Sequence, residues 1–454
     1  MVQVGSVVGD AKHEVLEVSM AWLDDLWDEH AGLLWTADRA MHMARETASY
    51  ALGLLSRAGT GDDVRAVHAL DAVLGNQFDA PGSSYDGTFR RAPEEPDPPA
   101  DPVMWLHFDP NWRQFVGTTL AVIVDRYGKE LPRALSERIR SSIERAVTGE
   151  PADRVVPTYS NIALMKAWLD AWSGRRDQAD DFAREIHSHY MDSGAFLEYN
   201  SPTYYGIDLW ALALWRNSTE TLAELGAELE QGLWRDIARF YHAGMLNLCG
   251  PYDRAYGMDM TEYATPLGLW MWAGIGRDKA PFPDPSKRFD HPHDMGFGPL
   301  VAALGPQIPA DVIPELESFS GERYVEQTIT GDPLRVATAW LSDDVMIGAQ
   351  SGPSSGIGWL QHHHATLHRR IDGKIAWMRL LPDCPADAKA KRSELSVWTS
   401  GSPLRFETSG ASIFQLVKAM ESNAASTDEQ ETDGGFIVSF EPARAGTTHV
   451  SFGV

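Results

Sequence analysis

Four stretches of this 454-residue chain set phenols and amides directly ahead of strongly apolar runs. "DPNWRQFVGTTLAVIV" brings Asn111, Trp112 and Arg113, and "YSNIALMKAWLDAW" brings Tyr159 and Asn161. "YNSPTYYGIDLWALALW" brings Asn200, Tyr204 and Tyr205, and "YGMDMTEYATPLGLWMWAG" opens on Tyr256, two residues after Arg254. A helix start needs only one Ser, Asp or Asn as a cap, so these mouths carry more polar chemistry than capping asks for. A phenol can give or take a proton. To act as a base, its ordinary pKa of about 10 must be lowered by a nearby cation, and Arg254 or a histidine could supply one for Tyr204. Amide and guanidinium donors, here Asn161 and Arg254, suit an oxygen that gains negative charge during a reaction.

A fifth stretch, "QHHHATLHRR", holds four histidines in seven residues. In a strand His362 and His364 would share one face and His363 the other. The pair could meet a substrate or a metal, but zinc wants a third protein ligand and the spacing identifies none, so no metal and no cofactor is assigned. Arg369 and Arg370 make the segment locally basic in an acidic chain. Trp359, Asn111, Trp112, Arg113, Tyr159, Asn200, Tyr205 and Tyr256 are read as substrate contacts.

These residues must be positioned by recurring elements. The polar mouths start about 40–60 residues apart, a spacing that fits a helical-hairpin repeat. Between them lie amphipathic segments such as "LPRALSERIRSSIERAV" and "TLAELGAELEQGLWRDIARFYHAG". All-round apolar helices belong inside and amphipathic ones outside. The pattern predicts an (α/α) toroid over residues 1–318, with its mouths gathered round one cleft, and helices throughout 13–75. "DAPGSSYDGTFRRAPEEPDPPADP" is too long for an ordinary connection and is read as a lid or a mobile loop. From about residue 320 the texture changes to period-two alternation with β-branched residues. Residues 319–454 are expected to form an antiparallel β-sandwich, with "VKAMESNAASTDEQETDGG" as a polar connector. The fold class is thus multidomain α and β.

The chain has a formal net charge of −25, which argues against nucleic acid as a partner. Two cysteines, Cys249 and Cys384, make neither a disulfide framework nor a zinc site. No basic-then-apolar leader and no long apolar span is seen, so a cytoplasmic protein away from membranes is expected. Sixteen tryptophans in a chain that is 43% hydrophobic suit a large core and sugar-stacking platforms alike.

The helical repeat followed by a sandwich resembles the heparinase II/III-like polysaccharide lyases and their alginate-lyase relatives. "NSPTYYG" is similar to that family's Ser-Pro-x-Tyr-His element, "YSNIALM" to its Asn-His helix start, and "HHHATLH" to its His-x-His-Ala-Asp element. Ile162, Tyr205 and Thr366 stand where that family has His, His and Asp. The resemblance implies β-elimination from a uronic-acid glycan. Tyr204 would be the acid/base, Asn161 the neutraliser of the substrate carboxylate, and Arg254, His362 and His364 would assist. An oligo- or polysaccharide is then the partner, with a homo-oligomer left open. Two other readings remain. A glycoside hydrolase would use a carboxylate pair drawn from Glu198, Asp208, Asp253 and Asp259, roughly 5–10 Å apart. A non-catalytic carbohydrate-binding protein would need only the platforms.

Overall fold

The computed structural model describes residues 4–353, 361–432, 434–442 and 447–453. Its first part is helical: α1 (Val4–Asp25), α2 (Ala44–Arg57), α3 (Asp62–Gly75), α4 (Trp112–Tyr127), α5 (Arg133–Thr148), α6 (Ser160–Trp172), α7 (Arg176–Ser193), α8 (Tyr204–Trp215), α9 (Glu220–Phe240), α10 (Pro266–Ile275), α11 (Gly298–Leu304) and α12 (Ile313–Glu317). Helix α2 packs on α4, α4 on α6, α6 on α8 and α8 on α10. Helix α10 meets α1 and α11, and both of these pack back on α2. Helices α3, α5, α7 and α9 lie against α2, α4, α6 and α8 respectively. Burial follows the sequence logic. Every residue of α8 after Tyr204 is buried, whereas α5 buries only Leu135, Ile139, Ser142, Ile143 and Ala146, one stripe of an amphipathic helix.

Residues 13–75 are not helical throughout. Helix α1 stops at Asp25, and a small antiparallel ribbon follows, β1 (Trp27–Asp28), β2 (Leu33–Thr36) and β3 (Met41–Met43). The Asp28 carboxylate accepts from the backbone of His30 and Ala31, and Gly32 turns with φ +67°, so the chain reverses where its apolar spacing reads as helix. A two-stranded ribbon, β4 (Tyr241–His242) and β5 (Asn247–Leu248), follows α9.

The second part is antiparallel. Its strands are β6 (Glu322–Gly331), β7 (Leu334–Ser342), β8 (Val345–Ser351), β9 (Ala365–Ile371), β10 (Lys374–Leu380), β11 (Asp387–Lys391), β12 (Glu394–Ser400), β13 (Leu404–Thr408), β14 (Glu421–Ser422), β15 (Ser426–Thr432), β16 (Gly435–Glu441) and β17 (Thr447–Gly453). One sheet runs β15-β16-β13-β10-β9-β8-β7-β6 and the other β11-β12-β17-β14. The two share an apolar core that includes Ile347, Leu367, Met378, Leu395, Val397 and Phe406. The expected polar connector instead contains the end of α13 (Ala411–Lys418), β14 and β15. Strand β15 pairs on one side only and is almost wholly exposed, and Asp428, Glu429 and Glu431 give it the polar texture that protects an open edge. Among the described residues no helix is long and apolar enough to cross a membrane.

The larger sheet rests directly on the helices. Val325, Ile329, Ala337, Ala339, Leu341 and Met346 join the helical core. Between the two bodies, Tyr199 donates to Gln350 at 2.6 Å, Tyr252 and His363 form a backbone bridge, and Gly348 abuts the 250–251 backbone. A Cβ on Gly348 would lie 1.9 Å from the Gly250 carbonyl carbon and oxygen, which are backbone atoms that cannot swing aside. Gly348→Ala is therefore expected to cost at least the ~1–3 kcal/mol of ordinary overpacking. Urea denaturation checks this, and an unchanged midpoint would contradict the contact.

Candidate active site

Tyr204 is the first residue of α8, and the sequence ahead of it builds its surroundings. Asn200 adopts φ +47° and donates through Nδ2 to the carbonyls of Cys249 and Pro251, both at 2.7 Å. The Ser201 hydroxyl accepts from the Tyr204 backbone N–H at 3.0 Å and donates to the Arg254 carbonyl at 2.6 Å. The 249–254 loop is thus clamped to the start of α8, and Arg254 is delivered to Tyr204.

From there a continuous polar chain runs. The Arg254 Nη2 donates to the Tyr204 hydroxyl at 2.5 Å, and its guanidinium carbon lies 3.6 Å from the centre of that ring. Its Nη1 pairs with Glu198 at 2.7 Å, and its Nε donates to Gln361 at 3.1 Å. Glu198 also accepts from the Asn161 amide at 2.6 Å and the Ser160 hydroxyl at 3.3 Å. On the other side the Tyr204 and Tyr256 hydroxyls are 3.0 Å apart, and Tyr256 stacks on His291 with centroids 4.7 Å apart. Beside this chain, Asn111 Nδ2 donates to the Tyr159 hydroxyl at 2.6 Å, and its Oδ1 accepts from Arg154 at 2.8 Å.

Burial sets the protonation states. It pushes the Tyr204 phenol well above its ordinary range, and the neighbouring Tyr256 adds to this. The opposing charge of Arg254 does not prevail, so the expectation that Arg254 would lower the Tyr204 pKa is not met. Burial likewise raises the Glu198 carboxyl, against the pull of Arg254. Burial disfavours the Arg254 cation too, yet Tyr204 and Glu198 hold its pKa above the ordinary value. Tyr159 is raised by burial and by the charge of Glu198.

The expected site residues separate into three groups. Asn161, Tyr204, Arg254 and Tyr256 are linked as described, with Tyr159 and Asn111 alongside. His362 and His364 meet edge to face with ring centroids 4.2 Å apart just ahead of β9, almost fully buried. His362 Nδ1 lies 3.4 Å from Asp253, which Arg335 also pairs at 2.7 Å. The histidines thus meet the residue before Arg254, while the Tyr204 hydroxyl bonds Arg254 and Tyr256. Burial, then His362 and Arg335, depresses the His364 pKa well below the usual range, which leaves it neutral.

The remaining contacts are spent elsewhere. Arg113 has no exposure, and its guanidinium donates to the carbonyls of Ser84, Asp86 and Pro110. It pins the long loop whose composition suggests a lid. Asn200 is the clamp, and Tyr205 is buried and donates to Asp236 on α9 at 2.7 Å. Trp112 packs under the Arg45 guanidinium, 5.5 Å from its ring centre. Trp359 lies outside the described residues. Ser160, Ser201, Gln361 and His291 join the site without having stood out in the sequence. For His291 the only signal is the polar, turn-like "DHPHD". Among the described residues no group of three or more His, Cys, Asp or Glu side chains could hold a metal ion.

Arg254→Ala would leave the Glu198 carboxyl, 1% exposed, without its cation. Breaking such a pair from one side costs ~3–5 kcal/mol, whereas neutralising both partners costs much less. Arg254→Ala is thus expected to melt well below the double variant Arg254→Met, Glu198→Gln, and equal melting temperatures would refute the pairing. Asp236 gives a pH prediction. Burial pushes its carboxyl up to about 6, against about 4 when unfolded. Its stabilising contribution is complete below about pH 4 and lost as pH rises through about 6. Asp236→Asn keeps an acceptor for Tyr205 and removes that loss. Urea titrations should show the variant gaining on the wild type by ~1–3 kcal/mol between pH 4 and 7. A constant difference across that range would overturn the assignment.

No curated protein matches the chain. Among solved structures it is similar to the X-ray structure of the Streptomyces coelicolor A3 chondroitin AC lyase in complex with chondroitin sulphate. The identity is 9% and the TM-score 0.45, over 98% of this chain and 79% of that one. Residues 13–306, more than half of the chain, match the family described as Domain of unknown function (DUF8769), and the chain belongs to that family.

Proposed function

We propose that this protein is a polysaccharide lyase that cleaves a uronic-acid glycan by β-elimination. The observation that carries the reading is the Asn161–Glu198–Arg254–Tyr204–Tyr256 chain, in which one partly exposed phenol is bonded at once to a buried cation and to a second phenol. In the elimination the C5–H and C4–O bonds break, a C4–C5 double bond forms, and the proton ends on the departing oxygen. Tyr204 serves both ends. As phenolate it takes the C5 proton, and as phenol it returns it to the 4-oxygen. Burial keeps it a neutral phenol before substrate arrives. The phenolate is reached when Tyr204 gives its proton to Tyr256 as Tyr256 releases its own to water in the cavity it lines, and Arg254 at 2.5 Å stabilises the charge left on Tyr204. Asn161, whose amide already holds Glu198, is itself 1% exposed, so its second N–H reaches the substrate carboxylate through a local opening at the first turn of α6.

The succession of packed pairs from α2 to α10, closed through α1 and α11, supports reading the helical part as an (α/α) toroid over residues 1–318, with the β-sandwich as a second domain over 319–454. The hydrolase reading fits less well. Of its four candidate carboxyls, Glu198, Asp208 and Asp253 are buried and Asp259 alone lines a cavity, so these four offer no pair to a cleft.

The test is incubation with a panel of uronic-acid glycans, following the ultraviolet absorbance of the conjugated double bond that elimination creates and hydrolysis does not. Tyr204→Phe keeps the ring but removes a hydroxyl bonded to Arg254 and Tyr256, so it should cost ~1.5–3 kcal/mol of stability and leave the fold intact. Turnover should fall ~10²-fold or more, the usual scale for a lost general acid or base. Near-full activity in Tyr204→Phe would end the mechanism.

A further inference from the structure

Beside Tyr256 lies a cavity of about 640 Å³ between the helical loops and the larger sheet, a volume within the ~300–1,000 Å³ typical of ligand sites. One wall is built by strand alternation. On β10, Met378 and Leu380 face the sandwich core, while Ile375, Trp377 and Arg379 turn to the cavity. Arg370 on β9 stands in register opposite Ile375 and joins the same wall. Arg379 pairs with Glu407 at 2.6 Å, so those two charges offset each other. Lys374 also lines the cavity; it is exposed and forms no ion pair among the described residues. The facing wall comes from helical loops and carries Glu262 and Asp290, both exposed and without an ion pair among the described residues.

The cavity is therefore polarised. One side presents Lys374 beside a half-buried indole, with Arg370 and Arg379 already paired to Asp344 and Glu407, and the other presents carboxylates. A sugar ring packs its C–H face on an indole, carboxylates accept hydrogen bonds from sugar hydroxyls, and an unpaired ammonium attracts an acidic substituent. Tyr256 belongs to both places, since its ring lines the cavity and its hydroxyl bonds Tyr204.

We propose that this cavity is a substrate subsite for an acidic sugar residue next to the one held at Tyr204, with Trp377 as the platform and Lys374 as the contact to the acidic group. The proposal rests on the polysaccharide-lyase reading above, and its test reads binding rather than turnover. Tetrasaccharides of mannuronate, of galacturonate and of chondroitin, with cellotetraose as the neutral control, are titrated calorimetrically at low ionic strength into protein carrying Tyr204→Phe. At least one acidic tetrasaccharide should bind, and cellotetraose should bind at least ~10-fold more weakly. Lys374→Glu lies at an exposed position and should not disturb folding. It should weaken the acidic ligand ~10-fold, and that loss should shrink at high salt. Trp377→Ala should cost a similar factor, and Trp377→Phe should restore most of it. The subsite is refuted if no acidic tetrasaccharide binds, if cellotetraose binds equally well, or if both Lys374→Glu and Trp377→Ala leave the dissociation constant unchanged. Binding that depends on Lys374 and Trp377, with no unsaturated product from the protein with Tyr204 intact on any glycan that binds, would uphold the subsite and remove the elimination reading. Product formation at wild-type rates by Lys374→Glu and by Trp377→Ala, each made with Tyr204 intact, would do the reverse.

Discussion

Glu198 carries a carboxylate with almost no access to water, and the centre of the molecule is arranged around that constraint. An isolated buried carboxylate is too costly to keep, so this one is surrounded by a guanidinium, an amide and a hydroxyl. The donors come from two distant segments: Arg254 from the loop after β5, and Asn161 and Ser160 from the first turn of α6. Satisfying one anion therefore holds three segments in register, its own included. Arg254 faces Glu198 with one nitrogen and Tyr204 with another, so the ion pair also aims the cation at the phenol.

The clamp at the start of α8 serves the same end. Asn200 and Ser201 look like capping residues, and Ser201 does cap, yet both also bond carbonyls of the 249–254 loop. Two neighbouring tyrosines then divide the work. Tyr204 faces Arg254, while Tyr205 is committed to Asp236 on the outer helix. The polar mouth is thus part site and part scaffold, and the scaffold share is the larger one.

That division explains which features are legible in the sequence. The helices are readable wherever burial is all-round or confined to one stripe, as in α8 and α5. The 27–43 ribbon is not, because its reversal depends on one Asp and one left-handed Gly inside an apolar stretch. Strand β15 is hidden by its position, since an edge strand exposed on both faces carries no alternation to detect. Asn161, Tyr204, Arg254 and Tyr256 stand out because each is unusual for its place in the chain. Glu198 stands out too, but as one of a hydrolase's carboxyls, because nothing local shows that the distant Arg254 loop will close over it and take its charge. Arg113 misleads for the opposite reason. Its guanidinium suggests an anion, but it is spent on backbone carbonyls that no local pattern reveals.

The 249–254 loop has a consequence for how the molecule comes apart. It is bonded to α8 through Asn200 and Ser201, to β7 through Asp253 and Arg335, and to the segment before β9 through Tyr252 and His363. Neither body can loosen at this seam without stripping partners from the other. Melting should therefore be a single cooperative event, with no intermediate in which one half survives alone. A ligand held at Tyr204 then stabilises the entire chain by mass action. A shift in the melting curve of the intact protein becomes a screen for its sugar that works whatever chemistry follows binding.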